Sequence, residues 1–305
     1  MSRRHTTNGA APGGATQRAS PVRAPDEAPS RLRTAVLTVA TLICFAGNSL
    51  LCRAALRGSR MDPATFTSIR IASGAAALAV VAALRRRGAR RTGSIGSGFV
   101  LFLYAAAFSL AYVRIGAGVG ALLLFAAVQV TMLGWSVAHG ARPRAVQWVG
   151  VAMALAGLAW LALPGASAPD PVGAILMLVA GAAWGSYSLR GRSAPDPVAT
   201  NAGNFLVAVP FAIALSLAML RDIAPTGPGI LLAVASGALA SGGGYSLWYE
   251  VVPALGVTRA ATVQLAVPVL AVAGASALLG ERVTLRIALS GAAILAGVAL
   301  TIRRR

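Results

Sequence analysis

Long apolar runs dominate the chain, and short gaps rich in arginine, proline and glycine separate them. A helix needs about 20 apolar residues to cross the roughly 30 Å hydrocarbon core of a bilayer. The runs therefore predict an all-α integral membrane protein with ten transmembrane helices. The predicted spans are 34–52, 64–84, 96–113, 117–138, 146–163, 172–189, 198–219, 229–249, 257–278 and 285–302.

The division between the third and fourth spans is the least obvious one. Residues 96–138 form one apolar stretch, which is interrupted by Arg114 and by glycines at 116, 118 and 120. A single helix of that length would measure about twice the thickness of the bilayer. Two helices joined by a tight turn are therefore predicted.

Composition agrees with a bilayer as the main partner of the chain. Hydrophobic residues make up 57% of the 305 residues and charged residues 11%, whereas soluble domains carry roughly 25% charged residues. The net charge of +19 would ordinarily suggest nucleic acid as a partner. The arginines cluster in the gaps between apolar runs, where they orient a membrane protein, so no nucleic-acid binding is expected.

The first 32 residues differ from the rest of the chain. They are rich in Ala, Pro, Gly, Ser and Arg and show no periodicity, which predicts a disordered cytoplasmic tail at 1–32. No apolar core follows at the distance expected in a signal peptide. The first apolar run is long enough to span, so it is interpreted as a retained helix.

Arginine positions predict the orientation. With the N-terminus inside, 19 of the 27 arginines fall on cytoplasmic segments and 7 on outer ones, as the positive-inside rule favours. Both termini are therefore predicted to be cytoplasmic in the cell membrane. This orientation requires an even number of spans.

The chain also repeats itself. At a constant offset of 139, the matching residues are Phe45 with Trp184, Ser49 with Ser188, Leu50 with Leu189 and Arg53 with Arg192; after a shorter loop, Asp62-Pro63 matches Asp196-Pro197. The body is thus predicted to be two five-helix halves, 33–163 and 172–302. Because five is odd, the second half enters the membrane inverted, and inverted repeats commonly form a transport site at their interface. Duplication that merely built a stable bundle is the alternative.

These features resemble the EamA-type family of the drug/metabolite transporter superfamily over about 270 residues. The residues that carry the resemblance are Phe45-Ala46-Gly47-Asn48 followed by Arg53, Pro63 with Arg70, Val263 to Pro268, Gly280-Glu281, Gly291 and Leu295 to Leu300. The resemblance implies a transporter of a small organic solute, such as an amino acid, another metabolite or a drug, and it leans toward efflux.

The first repeat departs from this pattern at two points. Gln129 stands where the second repeat has Pro268, and Gly140-Ala141-Arg142 replaces the Gly-Glu turn. A proline kink in the fourth span is therefore not expected.

No acidic residue lies in the middle of a span. An intramembrane enzyme would need buried carboxylates for catalysis or for metal binding, so we expect no enzyme and no catalytic residues. Cys44 and Cys52 are about 12 Å apart along one helix, too far for a disulfide. With two histidines in the chain, no metal site and no cofactor are expected.

Arg70 is the most distinctive single residue, because it is the one arginine within a predicted span. A charge inside the membrane is costly and is a functional hypothesis by default. The alternative is that Arg70 extends toward the outer surface or bonds a carbonyl. We expect it to face a central cavity and to favour solutes that carry a carboxylate.

Amide and aromatic side chains inside the spans complete the predicted substrate site. The amides are Asn48, Gln129, Asn204 and Gln264, and the aromatic residues are Tyr104, Trp184, Tyr187 and Tyr245. Asn204 is the repeat counterpart of Arg70. Hydrogen bonding between helices is the structural alternative for the amides, and anchoring at the membrane interface is the alternative for the aromatics. Ser241-Gly242-Gly243-Gly244, within the eighth span, suggests close helix packing.

The sequence therefore predicts a multi-pass transporter that moves a small organic solute by alternating access between two inverted repeats. A non-transporting scaffold or sensor is the alternative of a different class. The sequence leaves a homodimer open and does not identify the solute or a coupling ion.

Overall fold

The computed structural model describes residues 31–58, 61–84, 93–140, 142–163, 168–191, 194, 196–219, 225–255 and 263–302. The predicted tail, the arginine-rich loop at 85–91 and the three terminal arginines lie outside these ranges, except that the first helix already begins at Arg31.

The described residues form ten helices and no strand. Their bounds are α1 Arg31–Leu56, α2 Pro63–Leu84, α3 Ile95–Arg114, α4 Ala117–Ala138, α5 Ala145–Ala162, α6 Pro171–Gly191, α7 Pro197–Ala218, α8 Gly227–Val234 continued by Ala235–Gly243 and Gly244–Leu255, α9 Ala266–Leu279, and α10 Leu285–Ile302.

Seven of these helices are long and apolar enough to cross a membrane. The shorter apolar helices Ala145–Leu161, Ala266–Leu279 and Leu285–Leu300 complete the ten. The ninth span, predicted at 257–278, starts within the undescribed residues 256–262. The tight turn between the third and fourth spans is confirmed, because α3 ends at Arg114 and α4 begins at Ala117.

An aspartate followed by proline begins three of the helices. Asp62 accepts a hydrogen bond from the backbone of Thr65 at 2.8 Å, Asp170 accepts one from Gly173 at 2.7 Å, and Asp196 accepts one from Ala199 at 3.1 Å. The carboxylate satisfies a backbone donor that has no partner within the helix, and proline fits the first helical position.

The middle of α8 departs from regular α-helix. Ala235–Gly243 is a π-helical segment, a feature found frequently at functional sites. A Cβ at Gly237 would collide with the Ser73 hydroxyl and with the backbone carbonyl of Arg70. This glycine therefore lets α8 lie directly against α2, and α8 changes its winding without breaking.

The two halves of the chain interleave instead of forming separate bundles. The principal helix pairs are α2 with α7, α4 with α9, α5 with α10, α3 with both α6 and α7, α6 with α4, and α8 with both α1 and α2; α9 also packs on α1. At the α5–α10 pair a Cβ on Gly157 would lie 3.0 Å from the Ala293 Cβ, and one on Gly297 would lie 2.5 Å from the Gly150 carbonyl. Small residues thus allow close helix contact, as in other membrane bundles.

Candidate functional site

Arg70 lies inside the bundle. It is 2% exposed, and its Nη2 donates a hydrogen bond to the Tyr104 hydroxyl at 3.1 Å. Its Nε lies 3.4 Å from the Ser241 hydroxyl, in the π-helical segment of α8. Tyr104 occupies the middle of α3, so the guanidinium lies deep within the bundle and does not extend to its surface.

Two aromatic rings cover the guanidinium. Its central carbon lies 5.2 Å from the centroid of Tyr104 and 4.9 Å from that of Phe108, within the range of a cation–π interaction. Both rings belong to α3, so this helix provides the apolar side of the Arg70 environment and an acceptor oxygen.

The charge of Arg70 has no carboxylate partner among the described residues. Its Nη1 is buried and has no hydrogen-bond partner there. An unpaired charge in a medium of low polarity is strongly unfavourable. Among the described residues, the guanidinium is therefore a buried charge for which no opposite charge is present.

Asn48 joins Arg70 through Tyr104. Asn48 Nδ2 donates to the Tyr104 hydroxyl at 3.3 Å, and the Ser236 hydroxyl donates to Asn48 Oδ1 at 2.6 Å. We call Arg70, Tyr104, Asn48, Ser236 and Ser241 the Arg70 cluster. It connects α1, α2, α3 and α8, which come from both halves of the chain.

A second polar cluster surrounds Asn204, the repeat counterpart of Arg70. Asn204 Nδ2 donates to the Tyr187 hydroxyl at 3.3 Å, and its Oδ1 accepts from the Ser94 backbone at 3.0 Å. The Tyr187 hydroxyl also donates to Asn201 Oδ1. We call Asn204, Tyr187, Asn201 and Ser94 the Asn204 cluster.

Trp184 connects the two clusters. Its ring centroid is 5.0 Å from that of Tyr104, 5.8 Å from Tyr187 and 5.1 Å from Tyr245. The four aromatic residues that the sequence singled out therefore lie together inside the protein. Trp184 itself is half-buried, and none of the four is an exposed interface anchor.

The amides behave differently from one another. Asn48 and Asn204 make the hydrogen bonds between helices that were the structural alternative for them. Gln129 and Gln264 are half-buried, and no described contact links either of them to the two clusters. The structure therefore brings seven of the nine predicted residues together, and the binding role of all nine remains a prediction.

Sequence reasoning missed Ser236, Asn201 and Phe108, whose ring lies over the Arg70 guanidinium. Asn201 lies three residues before Asn204, which places both amides on one face of α7, and this spacing could have revealed it. Ser236 had no such signal, because serine is ordinary in membrane helices. Among the described residues, no group of three or more His, Cys, Asp or Glu side chains could hold a metal ion.

The fold and its apolar helices define a multi-pass membrane protein, and comparisons with known proteins specify the family. The model of the EamA-like transporter family matches residues 171–303. An uncharacterized protein of Pseudomonas aeruginosa is 50% identical over 275 residues, which cover 90% of this chain and 96% of that protein. The chain belongs to the EamA-like transporter family, as its motifs predicted.

A solved crystal structure has a similar fold. It superposes with a TM-score of 0.65 at 19% sequence identity, over 89% of this chain and 98% of the other. At that identity the similarity concerns the fold alone, and it extends over both halves of the chain.

Proposed function

We propose that this protein moves a small organic solute across the membrane and that Arg70 binds a carboxylate of the solute. The solute would be an amino acid, another metabolite or a drug. Membership of the EamA-like transporter family supports transport as the activity. The observation that carries the choice of solute is the buried guanidinium of Arg70, which has no carboxylate partner among the described residues and whose Nη1 has no acceptor there.

The chemistry of Arg70 suits a carboxylate. Nη2 already donates to the Tyr104 hydroxyl, whereas Nη1 is free to donate to a new acceptor. A carboxylate can accept from two guanidinium nitrogens at once, and it supplies the opposite charge that the site lacks. The aromatic rings of Trp184 and Tyr245 would then contact the apolar part of the solute.

Alternating access between two inverted repeats is the proposed mechanism. If a two-fold axis exchanges the halves, each helix of the first half corresponds to the helix five places later. The contacting pairs α2–α7, α4–α9 and α5–α10 then map onto themselves, and the contact between α3 and α6 requires a contact between α8 and α1. In the same way, the contact between α4 and α6 requires one between α9 and α1, and the contact between α2 and α8 requires one between α7 and α3. All of these pairs are present, which supports the proposal. Because each half has five helices, the axis would lie in the membrane plane.

Export is the proposed direction, with both termini in the cytoplasm. This orientation rests on the arginine distribution. It can be tested with Gly88→Cys, in the loop predicted to be cytoplasmic, in a variant without the native cysteines. A membrane-impermeant thiol reagent should leave this cysteine unmodified in intact cells, and modification there would contradict the orientation.

Transport by the purified protein in liposomes tests the function. We would measure radiolabelled amino acids, other organic acids and cationic drugs, each acid alongside its methyl ester. Saturable transport of an acid, with its ester carried about tenfold or more slowly, is expected. Transport restricted to cations and neutral compounds would overturn the role of Arg70. No transport by a folded protein would favour the scaffold or sensor alternative.

A further inference from the structure

Arg53 and Glu281 form a partly buried ion pair where α1 ends. Arg53 Nε lies 3.3 Å from Glu281 Oε1, and the two side chains are 18% and 20% exposed. Arg53 Nη1 also donates to the backbone carbonyls of Tyr112 at 2.6 Å and Val113 at 3.2 Å, in the last turn of α3. A single guanidinium therefore joins α1, α3 and the turn between α9 and α10.

The same carboxylate also holds the beginning of α4. Glu281 Oε1 accepts from the Ala117 backbone at 3.1 Å, and Oε2 lies 3.5 Å from the Gly118 nitrogen. A negative charge at a helix N-terminus is favoured by the exposed N–H groups and the helix dipole. Gly280 makes this turn with φ +65, the left-handed conformation that glycine adopts without strain.

The helices joined at this end come from both halves of the chain. Besides the Arg53–Glu281 pair, Arg57 in the turn after α1 donates to the Leu279 carbonyl at the end of α9. Separation of the halves at this end would break all these bonds together. We call this end of the bundle the Arg53 end.

The opposite end has no equivalent of this arrangement in sequence. The repeat counterpart of Gly280-Glu281 is Gly140-Ala141, which has no carboxylate. The ion pair described at that end, Arg33–Glu250, measures 3.4 Å, and its side chains are 63% and 36% exposed. Exposed pairs contribute little because water and salt screen them, so of these two described pairs the one at the Arg53 end is better placed to hold the bundle closed.

We propose that the Arg53–Glu281 pair is a latch that closes the Arg53 end and so controls on which side the Arg70 cluster opens. This inference rests on the proposed transport function. Alternating access requires each end to open in turn, and the latch makes the two openings unequal. It places in the turn between α9 and α10 a determinant of which side the site faces, separate from solute binding.

Cys52 is a natural reporter of opening at the Arg53 end. It is fully buried in α1, four residues after Asn48 and one before Arg53. Residues four apart share a helix face, so Cys52 lies between the latch and the Arg70 cluster. In a Cys44→Ala background, reaction of Cys52 with an impermeant methanethiosulfonate reagent measures access to this region.

The experiment compares Glu281→Gln with its parent in sealed spheroplasts and in inverted membrane vesicles, so that the reagent reaches one face at a time. Glutamine keeps the size of the side chain and removes its charge. We expect Cys52 to react about tenfold faster in spheroplasts, which corresponds to about 1.4 kcal/mol in the opening equilibrium. The rate in inverted vesicles should not rise. An unchanged rate in spheroplasts, at normal protein abundance, overturns the latch.

Arg53→Lys provides a second variant if Glu281→Gln folds poorly. Lysine keeps the charge but loses the forked bonds to the α3 carbonyls, so an increase smaller than tenfold is expected, and no increase overturns the proposal. Two controls remove other ion pairs. Asp170→Asn eliminates the exposed Arg114–Asp170 pair at the same end, and Glu250→Gln eliminates the pair at the other end. Neither should change the rate, and an equal increase from either one overturns a specific latch.

These outcomes are independent of transport. The reaction of Cys52 requires neither a solute nor Arg70. The latch proposal can therefore fail while the proposed transport function holds, and the transport function can fail while the latch proposal holds. An absence of transport with a normal Glu281→Gln effect would contradict the function and leave the closing contact established.

Discussion

The Arg70 cluster and the Asn204 cluster each place a buried polar residue beside a tyrosine hydroxyl, but their chemistry differs. Each has a buried polar residue on a repeat-related helix, 2% exposed for Arg70 and 3% for Asn204, and each donates to a tyrosine hydroxyl. Asn204 satisfies its oxygen and one N–H within the protein. Arg70 has no carboxylate partner among the described residues, and its Nη1 is buried without an acceptor there. The Asn204 cluster also contains a buried donor without a described partner, Asn201 Nδ2, but that donor belongs to a neutral amide.

This difference distinguishes a buried polar group that stabilises the fold from one that is available to bind a ligand. A neutral amide with partners at both ends of its side chain is explained by helix packing. A buried cation with no carboxylate beside it is not explained in this way, because it costs folding free energy that its described contacts do not recover. The first cluster is therefore the proposed binding site, and the second is expected to contribute mainly to stability.

Substitution of Arg70 should produce the largest effect. Arg70→Gln removes the charge and should slow transport of a carboxylate solute by roughly ten- to a hundredfold, since a hydrogen bond to a charged group contributes about 1.5–3 kcal/mol. Arg70→Lys keeps the charge but loses the two-pronged geometry of the guanidinium, so its transport rate should lie between those of wild type and Arg70→Gln. Initial rates in liposomes, normalised to protein amount, measure this effect.

Asn204→Ala is the matched change in the other half. It should lower thermal stability while the transport rate per folded protein stays within about threefold of wild type. Equal losses of transport from Arg70→Gln and Asn204→Ala would abolish the distinction between the clusters.

Gly237 and Gly98 test whether close helix approach matters equally in both halves. A Cβ at Gly237 would collide with the Arg70 carbonyl, whereas one at Gly98 would lie 3.1 Å from the Asn204 carbonyl and would collide with the side chain of Val207. Gly237→Ala should destabilise the protein by about 1–3 kcal/mol. Gly98→Ala should also destabilise it, because the Val207 Cβ would lie 2.6 Å from the added Cβ and is fixed to its own backbone.

Gly243→Ala is the control within the same π-helical segment. The nearest atom to an added Cβ there is the Ala238 carbonyl oxygen, at 3.6 Å, so this substitution should be tolerated. Thermal melting of the three purified variants in detergent decides the order. A Gly243→Ala variant as unstable as Gly237→Ala would contradict the packing account.

Substitution of Tyr104 and of Tyr187 should give the smallest effects, and the two substitutions should change different properties. Tyr104→Phe keeps the ring near Arg70 and removes the oxygen that accepts from Arg70 and Asn48. Transport should slow by roughly two- to tenfold, corresponding to about 0.5–1.5 kcal/mol. Tyr187→Phe removes the hydroxyl between Asn201 and Asn204 and should lower the melting temperature without slowing transport. A reversal of this pattern would assign binding to the Asn204 cluster.

Much of the fold could be predicted from sequence because bilayer thickness sets helix length. The ten helices follow the apolar runs, and the Asp-Pro pairs at 62–63 and 196–197 begin α2 and α7. The π-helical segment of α8 could not be predicted. Within this segment Gly237 packs closely against α2, a contact between residues far apart in the chain that local sequence does not reveal.

Prediction of the site succeeded where a residue type is rare in membranes and failed where it is common. Arg70 was recognisable because a charge within a span is costly. Its neighbour Tyr104 was singled out as an aromatic residue that could line a pocket, whereas its neighbour Phe108 was not. Ser236 was missed because hydroxyls are frequent in membrane helices. Gln129 and Gln264 were included on residue type alone, which does not determine the helix face they occupy.

The central claim, that Arg70 recognises a carboxylate, is tested most directly by the ratio of transport rates for an acid and its methyl ester. We would take the acid transported fastest in the liposome panel and measure this ratio for wild type, Arg70→Gln and Asn204→Ala. A ratio cancels differences in abundance and in general activity. We expect a ratio of about ten or more for wild type and Asn204→Ala, and a ratio near one for Arg70→Gln. An Arg70→Gln protein that still prefers the acid as strongly as wild type would contradict the claim.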